Sequence, residues 1–181
     1  MATIKILGIV GSLRKASVNR KLMEAFKQAA PGGVSVEIAD IGTLPLYNEE
    51  LEANFPEAAK AIKAKIREAD GILIATPEYN RSIPGVLKNA IDWTSRPYGD
   101  NAWDSKLVVT VGASPGNVGT AVAQSHLRQI LAYLNTTIVG QPEFYLGAAY
   151  GKFDESGALT DTKTKEFVTK LLETFLARIR K

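Results

Sequence analysis

Residues 4–30 read IKILGIV, then GSLRKASVN, then RKLMEAFKQAA, and this stretch decides the architecture. Ile4 to Val10 is short, apolar and rich in β-branched residues, the composition of a buried strand. Arg20 to Ala30 places Leu22, Met23, Phe26, Ala29 and Ala30 on one face of a helix. Gly11 to Asn19 is then a strand-to-helix turn. A helix start leaves backbone N–H groups unpaired and presents the positive end of the helix dipole, which suits a phosphate. Ser12, Ser17 and Asn19 add neutral donors, and Arg14 adds a planar cationic fork. The same turn could also arise simply because Ser and Asn cap helices and Gly turns chains. Neither G-x-x-x-x-G-K-[ST] nor G-x-G-x-x-G is present, which excludes a Walker loop and the standard dinucleotide fingerprint.

Working outward, Pro31-Gly32-Gly33 breaks the chain, and Val34 to Ala39 alternates apolar with polar, as a half-exposed edge strand does. Ile41 to Phe55 reads as irregular. Pro56 opens a helix to about Ala69 whose core face carries Ala59, Ile62 and Ile66. Gly71 to Thr76 is a near-continuous apolar run, the pattern of a central parallel strand. It ends in a second polar turn, Pro77 to Gly85. A helix from Val86 to about Thr94 follows, with Val86, Leu87, Ala90 and Ile91 inward. Lys106 to Gly112 is another buried strand, ending in a third turn, Ala113 to Asn117. The chain closes with a helix over Val118 to Leu134, a short strand over Thr136 to Val139 that Glu143 to Leu146 extends, and an amphipathic helix over Asp161 to Lys181.

Strands alternating with helices predict a doubly wound parallel sheet, one domain over residues 1–181. Five strands in a chain of this size fit the flavodoxin-like order 2-1-3-4-5. In that order strands 1 and 3 are neighbours whose helices leave on opposite faces, opening a crevice at their carboxyl ends. The three polar turns follow strands 1, 3 and 4, so all three converge there.

Composition narrows the chemistry. The chain has no cysteine, which excludes disulfides and thiolate chemistry, and one histidine, His126, which excludes a multi-histidine metal site. A net charge of +3 is mild, and the basic residues are scattered, so small anions are favoured over nucleic acid. No apolar run is long enough to cross a bilayer. Met1 to Lys5 enters the first strand directly without the pattern of a signal peptide, so the expected location is cytoplasmic, with no membrane partner.

The ligand follows from the turns. With a phosphate at the first turn, the backbone of Pro77 to Asn80 can read a flat heterocycle edge-on, and Tyr79 can stack against it or simply pack. FMN is such a ligand. GSLRKASVNRKL and TPEYNRSIPGVLKNAIDW resemble the two signature stretches of the NADPH-dependent FMN reductase family, and within it the bacterial chromate and quinone reductases. The likeness continues through SPGNVGTAVAQSHLRQIL to about Phe144.

The resemblance implies a homodimeric or homotetrameric FMN protein that takes hydride from NADPH or NADH. Such a protein reduces quinones, chromate and other small oxidants with ping-pong kinetics. No side chain is then required as a catalytic acid or nucleophile, because the flavin carries the chemistry. Carried over position by position, Ser12, Leu13, Arg14, Ser17, Val18 and Asn19 hold the phosphate. Pro77, Glu78, Tyr79 and Asn80 line the isoalloxazine, and Ser114 contacts it from the third turn. Arg81 and Arg96 are candidate sites for an anionic acceptor or the NADPH phosphate, or else solvated or interface charges. Glu78 pairs with an arginine across a subunit boundary or caps the turn, and His126 packs as a polar residue or bonds at an interface. Two other classes remain open at this level: a flavodoxin-like electron carrier without NAD(P)H oxidase activity, and a non-redox regulator that binds a phosphorylated ligand.

Overall fold

The computed structural model describes residues 3–180, so Met1 and Ala2 at the expected entry to the first strand, and Lys181 at the expected end of the last helix, lie outside the described residues. In chain order the elements are β1 (Ile4–Val10), α1 (Val18–Ala29), β2 (Val34–Ala39), α2 (Glu57–Glu68), β3 (Gly71–Ala75) and α3 (Gly85–Thr94). They continue with β4 (Leu107–Ala113), α4 (Ala121–Tyr133), β5 (Thr137–Ile138), β6 (Phe144–Leu146) and α5 (Thr162–Ile179). Every pairing is parallel and the order is β2-β1-β3-β4-β5, the flavodoxin-like arrangement that the alternation predicts. The fifth position is shared: β5 pairs with Leu107 and Val108 at the start of β4, and β6 with Val111 to Ala113 at its end.

Period-two alternation divides β1 between two cores. Ile6 and Val10 point to the side covered by α1 and α5, where they meet Met23, Phe26 and Phe175. Leu7 and Ile9 point to the side of α2, α3 and α4, with Ile62, Ile66, Ile91 and Leu127. Gly8 lies on the first side, where a Cβ would come within 2.7 Å of Met23 Sδ, so the helix packs directly on the strand backbone. Among the described residues no helix is long and apolar enough to cross a membrane.

The structure corrects several boundaries. The first helix begins at Val18 because Ser17 serves as its N-cap, its Oγ accepting from Arg20 N at 3.3 Å. Its buried residues are Asn19, Leu22, Met23, Ala25 and Phe26; Ala29, in the last turn, is exposed and Ala30 lies past it. Within the stretch expected to be irregular, Glu49–Asn54 forms a 3-10 helix capped by Asn48, whose Oδ1 accepts from Glu50 N. The fourth helix starts at Ala121 rather than Val118, since Gly119 and Thr120 have φ of +64° and +70°. Gly119 is obligatory there, because a Cβ would sit 2.5 Å from the Tyr145 carbonyl carbon.

Gly112, near the end of β4, is the tightest point of the fold. A Cβ there would fall 1.8 Å from Thr120 Oγ1 and 2.6 Å from the Thr76 carbonyl oxygen. Gly112→Ala must displace backbone as well as a side chain, so a loss of about 1–3 kcal/mol is expected in a urea melt, and Thr120→Ala in the same chain should not fully restore it.

Candidate functional site

The turns after β1, β3 and β4 meet at the carboxyl edge of the sheet. Gly11 lies against Pro77 and Pro84, whose ring carbons are 3.2 and 3.3 Å from where its Cβ would be, so a larger residue would separate the first two turns. Between them is a cavity of about 440 Å³ bounded by Gly11, Leu13, Arg14, Tyr79, Pro84, Gly85 and Val86. Sequence reasoning missed the last three. Proline-glycine at a helix start was the available signal, since Pro84 is the N-cap of α3.

The first turn presents donors and no carboxylate. No acidic residue lies in the first turn of α1, and none occurs between Gly11 and Asn19. Val18 and Asn19 have their backbone N–H groups in that first turn, where a helix offers them no internal acceptor. Ser12 is half-buried, Leu13 and Arg14 are exposed at the cavity, and Ser17 is buried as the cap. Asn19 takes a different part from the one its sequence position suggests. Its side chain is 1% exposed; Nδ2 donates to the Ala113 carbonyl and Oδ1 accepts from Ala113 N, both at 2.9 Å. Only its backbone N–H is left for a ligand.

The second turn is a two-residue hairpin. Tyr79 and Ser82 exchange backbone hydrogen bonds of 3.0 Å, and Asn80 and Arg81 both have positive φ, +51° and +64°, as a type I′ turn requires. Tyr79 stands at the cavity mouth, 48% exposed, with Asn80 exposed beside it and Pro77 half-buried. Glu78 resolves between its two expected roles in an unforeseen way. Its Oε2 accepts from the backbone N–H groups of Val122 and Ala123, both at 3.1 Å, so it caps α4 rather than its own turn. Its Oε1 is 3.3 Å from Nη1 of Arg81, an arginine of the same chain. At the third turn the half-buried Ser114 donates its hydroxyl to the Gly116 carbonyl at 3.0 Å.

The two arginines proposed for anions do not line this cavity. Arg81 is turned to Glu78. Arg96 follows α3, whose ten residues span roughly 15 Å from the crevice end. Its guanidinium lies 4.0 Å from the Tyr98 ring centroid, in a separate groove of about 620 Å³ between α3 and α4 that also holds Lys88, Asp92 and Tyr133. His126 is exposed, with Nδ1 3.2 Å from Ser82 Oγ. Among the described residues no three metal-ligating side chains stand together.

A strap over residues 41–55 forms an outer wall that sequence reasoning left without a role. A Cβ on Gly42 would be 3.0 Å from Leu13 Cδ2, so the strap passes close beside the first turn. Trp93 Nε1 and Asn89 Nδ2 both donate to the Pro45 carbonyl, at 2.8 and 2.9 Å, and Tyr47 N donates to Asn89 Oδ1 at 2.7 Å. The Tyr47 hydroxyl donates to Glu52 at 2.6 Å, and that bond to a carboxylate, with burial adding to it, pushes the phenol up to about 12. Tyr47 is therefore a neutral donor at any physiological pH.

The crevice thus offers backbone and hydroxyl donors, one arginine and apolar walls from Leu13, Tyr79, Pro84 and Val86. That donor set fits a phosphate joined to a flat, largely apolar ring. Comparisons with known proteins agree with this geometry. The family model described as NADPH-dependent FMN reductase matches residues 4–151. A 2-hydroxy-1,4-benzoquinone reductase from a Burkholderia species is 45% identical over 177 residues, covering 98% of this chain and 97% of that one. A quinone reductase from Pseudomonas putida is 46% identical over 173 residues, 95% of this chain and 92% of its own. Among solved structures, the flavoenzyme NAD(P)H:(acceptor) oxidoreductase FerB from Paracoccus denitrificans superposes with a TM-score of 0.92 at 40% identity, covering 98% of each chain.

If Asn19 is the fastener between α1 and β4, Asn19→Ala leaves both Ala113 backbone groups buried and unpaired. A loss of about 2–3 kcal/mol is expected by urea denaturation, whereas Ser12→Ala, at a half-buried hydroxyl, should cost less than about 1 kcal/mol.

Proposed function

The chain belongs to the NADPH-dependent FMN reductase family, and from that premise we propose that it is an FMN-dependent NAD(P)H oxidoreductase that reduces quinones. Residues 1–181 form one FMN-binding domain. The observation that carries this reading is the union of a carboxylate-free helix start with the Tyr79 hairpin around one apolar-walled cavity. Ser12, Leu13, Arg14, Ser17 and the backbone N–H groups of Val18 and Asn19 hold the phosphate; Arg14 adds a charge-assisted bond. Pro77 to Asn80 frame the ring and Ser114 reaches it from the third turn. Bound FMN supplies the hydride acceptor and donor.

The chain's own part is to bind, to orient and to leave one face open. The reductant and the acceptor meet that open face of the ring in succession, which gives ping-pong kinetics. An open slot with few polar demands also admits chromate and other small oxidants. The protein acts in the cytoplasm as a homodimer or homotetramer. Two 81%-exposed tyrosines, Tyr98 and Tyr133, flank the α3–α4 groove and make that face the candidate interface. Sedimentation velocity should return a dimer or larger species, and a monomer at micromolar concentration would remove this part of the reading.

The deciding experiment is an anaerobic absorbance spectrum of the protein loaded with FMN. Flavin bands should bleach with NADPH or NADH and return on adding a benzoquinone; a flavin that stays oxidised would indicate an electron carrier instead. In the same apparatus, Arg14→Ala should weaken FMN binding by about fivefold to tenfold. Unchanged affinity would remove Arg14 from the phosphate site.

A further inference from the structure

The Glu78 carboxylate lies among groups that no hydride-transfer step uses. Its side chain is only 11% exposed, and both oxygens are engaged: Oε2 by the Val122 and Ala123 N–H groups, Oε1 by Arg81. The cap it gives is one that α4 lacks otherwise. Thr120, at the N-cap position, is left-handed and makes no side-chain cap bond, and the first turn of α4 holds no acidic residue. A carboxylate supplied from another segment satisfies two orphan donors and sits favourably at the positive end of the dipole.

A second tie runs in parallel. His126 is one helical turn beyond Val122 on the same face of α4, and its Nδ1 is 3.2 Å from Ser82 Oγ. The hairpin that bears Tyr79 is therefore fastened to α4 at both of its ends, at Glu78 and at Ser82. The conformation so held is not one the chain adopts freely, because Asn80 and Arg81 are consecutive non-glycine residues at positive φ.

We propose that Glu78 is a positioning residue for the flavin ring, fixing the height and tilt of the Tyr79 hairpin by capping α4. Its geometry, and not its charge as such, is what the site requires. This rests on the FMN reading above.

Two conservative variants separate reach from charge. Glu78→Gln keeps the length and a carbonyl acceptor but loses the charge; Glu78→Asp keeps the charge but is one methylene short. In protein free of flavin, hydrogen exchange at the Val122 and Ala123 amides should accelerate by at least about tenfold in the Asp variant and change less than about threefold in the Gln variant. FMN affinity, by fluorescence quenching, should follow the same order, about tenfold against threefold. At saturating FMN the Asp variant should lower kcat with little change in the quinone KM and shift the visible flavin band. An Asp variant that matches the unaltered protein, or a Gln variant as impaired as Asp, would overturn the proposal. Failure of the cofactor reading would instead show in the unaltered protein, as a lack of FMN binding before any variant is made.

Discussion

The Asn19 carboxamide, buried against the end of β4, fixes where the first helix begins relative to the rest of the sheet. In this topology β1 sends its helix to one face while β3 sends its helix to the other, so a crevice opens between them. The residues that close its two sides are distant in sequence, and the bond from Asn19 to Ala113 spans 94 positions. Both bonds are made to a strand terminus where the ladder has run out. A buried amide that satisfies two backbone groups at once is costly to remove, because both are left unpaired. The height of α1 above the crevice, and with it the position of its free N–H groups, depends on that contact.

The helices that follow the three converging turns are capped in different ways. Ser17 caps α1 with a neutral hydroxyl, Pro84 opens α3 without any side-chain bond, and Glu78 caps α4 with a carboxylate. The dipole field at α1 is therefore uncompensated, while that at α4 is matched within the chain. An anion entering the crevice meets an attractive helix end at the first turn and an occupied one at the third. Arg14 reinforces the same preference. The start of α1 keeps free N–H groups for a phosphate, whereas those of Val122 and Ala123 at the start of α4 are already taken.

The sheet order was legible because it rests on hydrophobic runs of the right length in strict alternation with amphipathic helices, a local pattern that tertiary contacts reinforce. The convergence of three turns followed from topology alone. What sequence could not show were interactions made between segments. Asn19 reads as one more polar donor in a Ser-rich turn, and only folding reveals that Ala113 occupies its amide. Glu78 reads as part of the ring-lining stretch, yet its carboxylate turns away to α4, because the helix there lacks a cap of its own. Ala29 reads as core by its spacing from Leu22 and Phe26, yet it is the last residue of α1 and lies exposed. Asn89 and Trp93 look like ordinary residues of α3 until the strap at Pro45 is seen to depend on them.

Size is a poor guide to which concavity carries the chemistry. The groove between α3 and α4 has the larger volume, about 620 against 440 Å³, and includes the arginine that sequence reading linked to anions. Its cations are already engaged, however: Lys88 bridges to Asp92 and Arg96 stacks on Tyr98. No helix begins there, so no orphan N–H groups face it, and its rim is formed by long, exposed side chains on two helices. The smaller crevice has backbone donors from a helix start, an exposed arginine and walls of proline, leucine and valine held by the sheet. Recognition of a flat ring carrying a phosphate calls for fixed donors at one end and flat apolar contact along the rest, and rigid turns on strand ends provide both at little entropic cost. The distribution of donors, rather than the volume enclosed, makes the carboxyl edge of β1 and β3 the candidate site.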